Sequence, residues 1–161
     1  MLEITQLDDL PKLETITIPE DYLDEMGHMN IMYYIHIFDR TIWNLFSKFG
    51  LTFEYTKQKQ KGMFALKQFI QYWAEVHTGE TVHVRARVLD VGEKRVHFMA
   101  FMVNETTQKI ASTFEVLASF ADLTTRRTAP FPPEVKARIQ ATVDRNRQLT
   151  WDAPTCGILK V

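Results

Sequence analysis

Asp24 to Phe49 reads DEMGHMNIMYYIHIFDRTIWNLFSKF. A short polar turn, Asp24-Glu25-Met26-Gly27-His28, runs into the most apolar helix-like segment of the chain. Ile31, Tyr34, Ile35, Phe38, Ile42, Leu45, Phe46 and Phe49 recur at three- and four-residue steps, the spacing of one helix face. Met32, Ile37 and Trp43 make much of the other side apolar as well, the pattern of a buried helix. At about 1.5 Å per residue such a helix is roughly 28 Å long. His36, Asp39, Arg40, Asn44, Ser47 and Lys48 interrupt it too often for a membrane span. The expected helix runs from about Asn30, a side-chain cap, to Phe49, with Gly50 ending it. Its N-terminus carries unpaired N–H groups and the positive end of the dipole, with Asp24 beside it.

The rest of the chain is strand-like. Leu13 to Ile18 alternates apolar with polar and stops at Pro19. Residues before Leu13 read as a loosely docked lead-in, and Thr52 to Lys61 as a polar, mobile connection. Met63 to Val76 is aromatic and β-branched, and His77-Thr78-Gly79-Glu80 turns the chain. Val82, Val84, Ala86 and Val88 alternate with His83, Arg85 and Arg87, predicting a strand buried on one face. Gly92-Glu93 marks a hairpin. Val96 to Val103 is apolar on both faces, so a second copy of the chain is the simplest cover. Ile110 to Leu123 is the last long strand. After Pro130, Pro132 and Pro133, an amphipathic helix over about 133–147 places Val135, Ile139 and Val143 at four-residue steps. Strands in hairpin order beside one apolar helix predict an α+β layer with an antiparallel sheet.

Composition narrows the function classes. With 161 residues, 45% of them hydrophobic, one domain spanning 1–161 with its core over about 13–123 is expected. The net charge of −1 offers no electrostatic footprint for nucleic acid or an anionic membrane surface. The single cysteine, Cys156, excludes an internal disulfide and argues against a thiolate metal site. The acidic beginning, MLEITQLDDLPKLE, lacks the apolar core of a secretion signal, which points to a cytoplasmic home.

The run Asp24-x-x-Gly27-His28-Met29-Asn30-x-x-x-Tyr34-x-x-x-Phe38-Asp39 sits between a strand and a strand meander. The chain in this respect resembles the hotdog-fold acyl-CoA thioesterases of the 4-hydroxybenzoyl-CoA thioesterase type. The last strand running into Asp122-Leu123-Thr124-Thr125-Arg126-Arg127, then Pro130 and Pro132, extends the likeness. Ile31 stands where the family often has a second asparagine, and Tyr22 where it often has a second aspartate. The resemblance implies a curved antiparallel sheet wrapped around the central helix, paired into a homodimer or a dimer of dimers (a homotetramer). Active sites would lie between protomers at the helix N-terminus. It also implies Asp24 as the catalytic carboxylate and the Ile31 backbone N–H as the group polarising the thioester carbonyl.

Thioester hydrolysis needs an attacking oxygen and a stabilised oxyanion. Helix N-terminal amides supply the second without any side chain. Asp24 would serve as nucleophile, through a mixed anhydride, or as general base on water. The leaving thiol, with a pKa of about 8.5 on the cysteine scale, departs without acid help. Gly27, His28 and Asn30 complete the catalytic loop: Gly27 for a backbone shape or close approach other residues cannot take, His28 as an imidazole that fixes the turn or takes part in catalysis, and Asn30 as a cap that can also bind water. Tyr34 and Phe38 are candidate acyl-pocket residues. Tyr33, Phe69, Tyr72 and Trp73 read mainly as core or dimer interface, and an aromatic-lined pocket suits an aryl group or a quaternary ammonium. Arg126 and Arg127, and secondarily Lys94 and Arg95, are candidates for the phosphates of coenzyme A. No metal and no cofactor beyond CoA as part of the substrate is expected. Two other readings share the fold: a non-catalytic binder of acyl thioesters or lipophiles, and a 3-hydroxyacyl thioester dehydratase. The chain lacks the His-Phe-x-x-x-Pro-Gly and Asp-x-Asn-Pro-x-His stretches of the dehydratases.

Overall fold

A computed structural model describes residues 2–161. The helix anticipated from the apolar spacing is α1, Ile31–Lys48. Asn30 caps it: its Oδ1 accepts the Met32 N–H at 3.0 Å. Gly50 at φ +89° closes it, with the Leu51 N–H donating back to the Phe46 carbonyl at 3.1 Å.

The strands are β1 (Lys12–Thr17), β2 (Lys61–Tyr72), β3 (Thr81–Val91), β4 (Arg95–Asn104), β5 (Lys109–Asp122) and the short β6 (Arg127–Thr128). They form one sheet in the order β1-β3-β4-β5-β2, with β6 on β5. β1 pairs antiparallel with β3, Thr15 opposite His83. β2 runs against β5: the Leu123 N–H meets the Gln60 carbonyl at one end, and the Trp73 N–H meets the Ala111 carbonyl at the other. A second helix, α2 (Phe53–Lys59), and a third, α3 (Pro133–Asn146), complete the chain. Pro133 opens α3, as its fixed φ and missing N–H suit.

The described residues fall into two compact units. The first takes those up to Asn44, with Ile70–Ala86 and Ala100–Phe114. There Phe38 is fully buried and stacked on Phe114 at 5.0 Å, and Asn44 ties α1 to β1 by donating to the Leu13 carbonyl at 2.9 Å. The second takes Leu45–Phe69, Arg87–Met99 and Glu115–Val161. There Phe46 meets Phe98 edge-on at 5.7 Å, and Val135, Ile139 and Val143 of α3 are all buried.

Five expectations are corrected. The apolar side chains of α1 are not buried all round: Tyr34, Ile37, Phe38, Thr41, Leu45 and Phe46 form the covered face, while Ile31, Met32, Ile35 and Trp43 are exposed. A helix packed on one layer covers one stripe, and the rest stays open in a single chain. The Thr52–Lys61 stretch is not an irregular connection; it contains α2, which starts where Thr52 Oγ1 accepts the Tyr55 N–H at 3.0 Å. Local capping forms it, since none of its residues is buried.

β3 is buried on both faces, because its polar residues have partners inside the fold. Arg85 donates to the carbonyls of Leu7, Asp8 and Leu10, so the segment before β1 is firmly docked, with Leu7 and Leu10 buried. Arg87 donates to the Trp151 carbonyl and lies 4.4 Å over the Trp151 ring. Finally, every residue of β4 from Val96 to Asn104 is already buried within one chain. Cover by another copy is not needed there. The exposed apolar residues lie instead on β2, at Phe64, Leu66, Phe69 and Tyr72, and on α1.

Candidate functional site

The turn before α1 is built by its own backbone. The Gly27 N–H donates to the Asp24 carbonyl and the Asp24 N–H to the His28 carbonyl, each at 3.0 Å. Gly27 takes φ +85°, a value that suits glycine, so the sequence expectation of a special backbone shape is met there. The loop is then fixed from outside. The Met29 N–H donates to the Val76 carbonyl at 2.7 Å, and the Asn30 N–H to the Tyr22 carbonyl at 2.9 Å. Tyr22 stacks on Tyr33 at 3.8 Å, holding the loop against the first turn of α1.

Asp24 is half-buried, and its two oxygens do different things. Oδ1 accepts the Met26 N–H at 2.9 Å. Oδ2 lies 3.5 Å from His28 Nδ1. The first holds the turn; the second stands next to an imidazole. At the helix start, the Met32 N–H is taken by Asn30 Oδ1 and the Tyr33 N–H by the Asn30 carbonyl. Among the described residues, the Ile31 N–H has no acceptor. It is the amide of the first turn that remains open to a ligand oxygen.

Two cavities adjoin this loop. Leu23, Asp24, Glu25, Met26 and Asn30 line an open one. The other, of about 260 Å³, is lined by His28, Ile31 and Tyr34 from the loop and α1, and by Tyr72, Trp73 and Glu75 after β2. Tyr34 donates its hydroxyl to the Ala74 carbonyl at 3.4 Å and meets Tyr72 edge-on at 5.1 Å. Burial, helped by Tyr72, pushes the Tyr34 hydroxyl up to about 12, so it stays neutral.

Among the sequence candidates, the structure thus brings His28, Ile31 and Tyr34 to one cavity, with Asp24 and Asn30 on the other. Phe38 is enclosed in the core against Phe114 and reaches neither. Arg126 and Arg127 are exposed on the turn after β5 and line neither. Sequence reasoning missed Glu75 and treated Tyr72 and Trp73 chiefly as packing residues. The available signal was local: two aromatics followed two residues later by a carboxylate, where the strand pattern ends. Their approach to α1 depends on the long-range pairing of β2 with β5, which no local pattern encodes. Among the described residues, no group of three or more His, Cys, Asp or Glu is placed to hold a metal ion. Among the same residues, no helix is long and apolar enough to cross a membrane.

Comparison with known proteins carries this geometry further. The family profile described as the thioesterase-like superfamily matches residues 18–139, about three quarters of the chain. A betainyl-CoA thioesterase of Pseudomonas aeruginosa is 27% identical over 140 residues, covering 87% of each chain. A Rhizobium meliloti protein named L-carnitine dehydrogenase/betainyl-CoA thioesterase is 24% identical, and the match covers 83% of this chain but only 26% of that longer one. Among solved structures, a hypothetical protein from Staphylococcus aureus in complex with CoA superposes with a TM-score of 0.83 at 24% identity, covering 94% of this chain and 95% of that one. The hotdog fold expected from the sequence is therefore the fold found, and the chain, a thioester hydrolase, belongs to the thioesterase-like superfamily.

Proposed function

We propose that the chain hydrolyses an acyl-CoA thioester to the free acid and CoA at the N-terminus of α1. The observation that carries this reading is the Ile31 N–H, without an acceptor among the described residues, in a cavity it shares with His28, the partner of Asp24. The thioester carbonyl oxygen accepts from the Ile31 N–H, where the helix dipole favours the charge that develops on it. Asp24, through Oδ2, takes a proton from the attacking water as its oxygen bonds to the carbonyl carbon. The tetrahedral intermediate then collapses and expels the CoA thiolate, which needs no acid. No cofactor enters the step.

A second assignment of roles is favoured by one observation: His28, not Asp24, lines the same cavity as Ile31. In that version His28 is the base and Asp24 orients its ring through Nδ1. The test is thiol release from a panel of acyl-CoAs, with betainyl-CoA first because a relative carries that name. At least one acyl-CoA is turned over, and Asp24→Asn lowers the rate by about 100-fold or more, the scale of a removed base. A His28→Gln loss as large or larger assigns the base to His28. Binding without thiol release, or full activity in Asp24→Asn, removes the proposal.

The assembly proposed is a homodimer or a dimer of dimers, in a cytoplasmic setting. The free edge of β2, with its exposed Phe64, Leu66 and Phe69, supports it. Sedimentation of a monomer at micromolar concentration would contradict it.

A further inference from the structure

We infer that Tyr34, Tyr72, Trp73 and Glu75 form a subsite that reads the charge of the acyl group, selecting a compact cation of the quaternary ammonium class. This rests on the hydrolysis reading, because Ile31, the oxyanion donor there, lines the same cavity.

Size comes first. The cavity of about 260 Å³ lies below the roughly 300–1,000 Å³ range of drug-sized pockets. It suits a short, bulky-headed acyl group and not a long chain. Shape comes second. Tyr34 and Tyr72, which both line the cavity, meet edge to face at 83° with ring centroids 5.1 Å apart. Trp73 follows Tyr72 directly, and its ring is held by an Nε1–H bond to Thr113 Oγ1 at 3.1 Å. Three electron-rich rings around a small cavity are the means by which proteins hold a cation that has no N–H to donate.

Charge comes third and separates this reading from an aryl pocket. Among the lining residues, Glu75 carries a carboxylate and none is Lys or Arg. Burial is the main reason the Tyr34 hydroxyl is raised, and the charges of Glu75 and Glu80 push it the same way. Beside Glu75, Tyr34 and Tyr72, His28 is the imidazole within the lining, and His77 faces Glu75 from 3.7 Å outside it. Glu75 is two-thirds exposed, with 67% of its side chain open to solvent, so it acts as a screened steering charge at the cavity rim. A neutral aryl group would use the rings but gain nothing from the carboxylate. An anionic acyl group would be repelled.

The test pairs betainyl-CoA with its neutral carbon isostere, 3,3-dimethylbutyryl-CoA, which has the same shape and lacks the charge. The dimeric protein, or whatever assembly it forms, is used whole. The expected kcat/KM ratio favours the cation by about tenfold. Glu75→Gln lowers that ratio by about three- to fivefold, and Glu75→Lys brings it to one or below. Because Glu75 is exposed, both variants are expected to fold. A binding arm uses the corresponding non-hydrolysable thioethers, followed by tryptophan fluorescence. Preferential binding of the cationic thioether without any thiol release supports the subsite and sinks the hydrolysis reading. Thiol release with equal kcat/KM for the two isosteres overturns the subsite and leaves hydrolysis standing. A ratio unmoved by Glu75→Lys also overturns it.

Discussion

The first and last turns of α1 are equally apolar in sequence and end in opposite environments. Leu45, Phe46 and Phe49, in the last turns, are buried, and Phe46 meets Phe98. Ile31, Met32 and Ile35, in the first, are exposed, Ile31 at 64%. Composition does not separate the two ends. What separates them is the neighbouring backbone: the last turns close on a glycine and a Phe-rich strand, whereas the first opens from a polar loop with a spare amide. An apolar stretch left uncovered beside an unpaired N–H is a place for a ligand or a partner; the same stretch against a sheet is core.

The largest effect that sharpens this contrast is expected at the boundary between the two ends. Phe38→Ala should cost about 3–5 kcal/mol of stability in urea denaturation, the range for emptying a buried aromatic site. Asp24→Asn should do the reverse. It raises the barrier to hydrolysis by about 2.7 kcal/mol if the rate falls 100-fold, yet leaves the melting temperature nearly unchanged, because an asparagine Oδ1 still accepts the Met26 N–H. A large loss of stability in that variant would mean the carboxylate is there to hold the turn.

Asn30→Ala is expected to cost about 1 kcal/mol of stability, the usual value of a helix cap. It should also lower activity, since the first-turn amides lose their order.

A pH test probes a buried residue away from the site. Burial, with the charges of Lys12 and Arg85, holds the His83 imidazole below its usual range, and Glu105 opposes this more weakly. Its Nδ1 lies 2.8 Å from Glu105 Oε1 but off the direction a hydrogen bond requires. The unfolded chain therefore takes up a proton near pH 6.5 that the folded chain refuses until lower pH. Stability falls as pH drops through that window, by at most about 1.4 kcal/mol per pH unit. Denaturation at pH 7.5 and 5.5 should show a smaller decrease in His83→Gln than in the parent chain. The smallest effect belongs to the open end of α1: Ile35→Ser should change the stability of an isolated chain by less than about 0.5 kcal/mol. A larger change that depends on protein concentration would place Ile35 in an interface.

The central helix, its cap, its glycine stop, the succession of strands along the chain and the C-terminal helix were all legible, because each rests on local periodicity or a terminal residue; the place of β2 beside β5 in the sheet was not. The loop from Asp24 to Asn30 read as a turn from its polar residues and Gly27, and as a candidate site only through the family resemblance. What sequence did not reveal was tertiary in origin. The alternation of Val82 to Val88 reads as one wet face, yet Arg85 and Arg87 are buried by carbonyls from residues far away in the chain. The faces of α1 were assigned by spacing alone, which gives the period but not which stripe a sheet will cover. Glu75 became a site candidate only when its neighbours from α1 were known.

The segment shared with the superfamily, residues 18–139, leaves out the partners of several interior charges. The carbonyls that receive Arg85 belong to Leu7, Asp8 and Leu10. Trp151 receives Arg87, and the Cys156 N–H donates to the fully buried Glu115, which also faces His97 at 2.7 Å. A clone trimmed to the family boundaries would strand two guanidinium groups and part of a carboxylate in a dry interior. Expression and crystallisation designs should keep both flanks and attach tags beyond them.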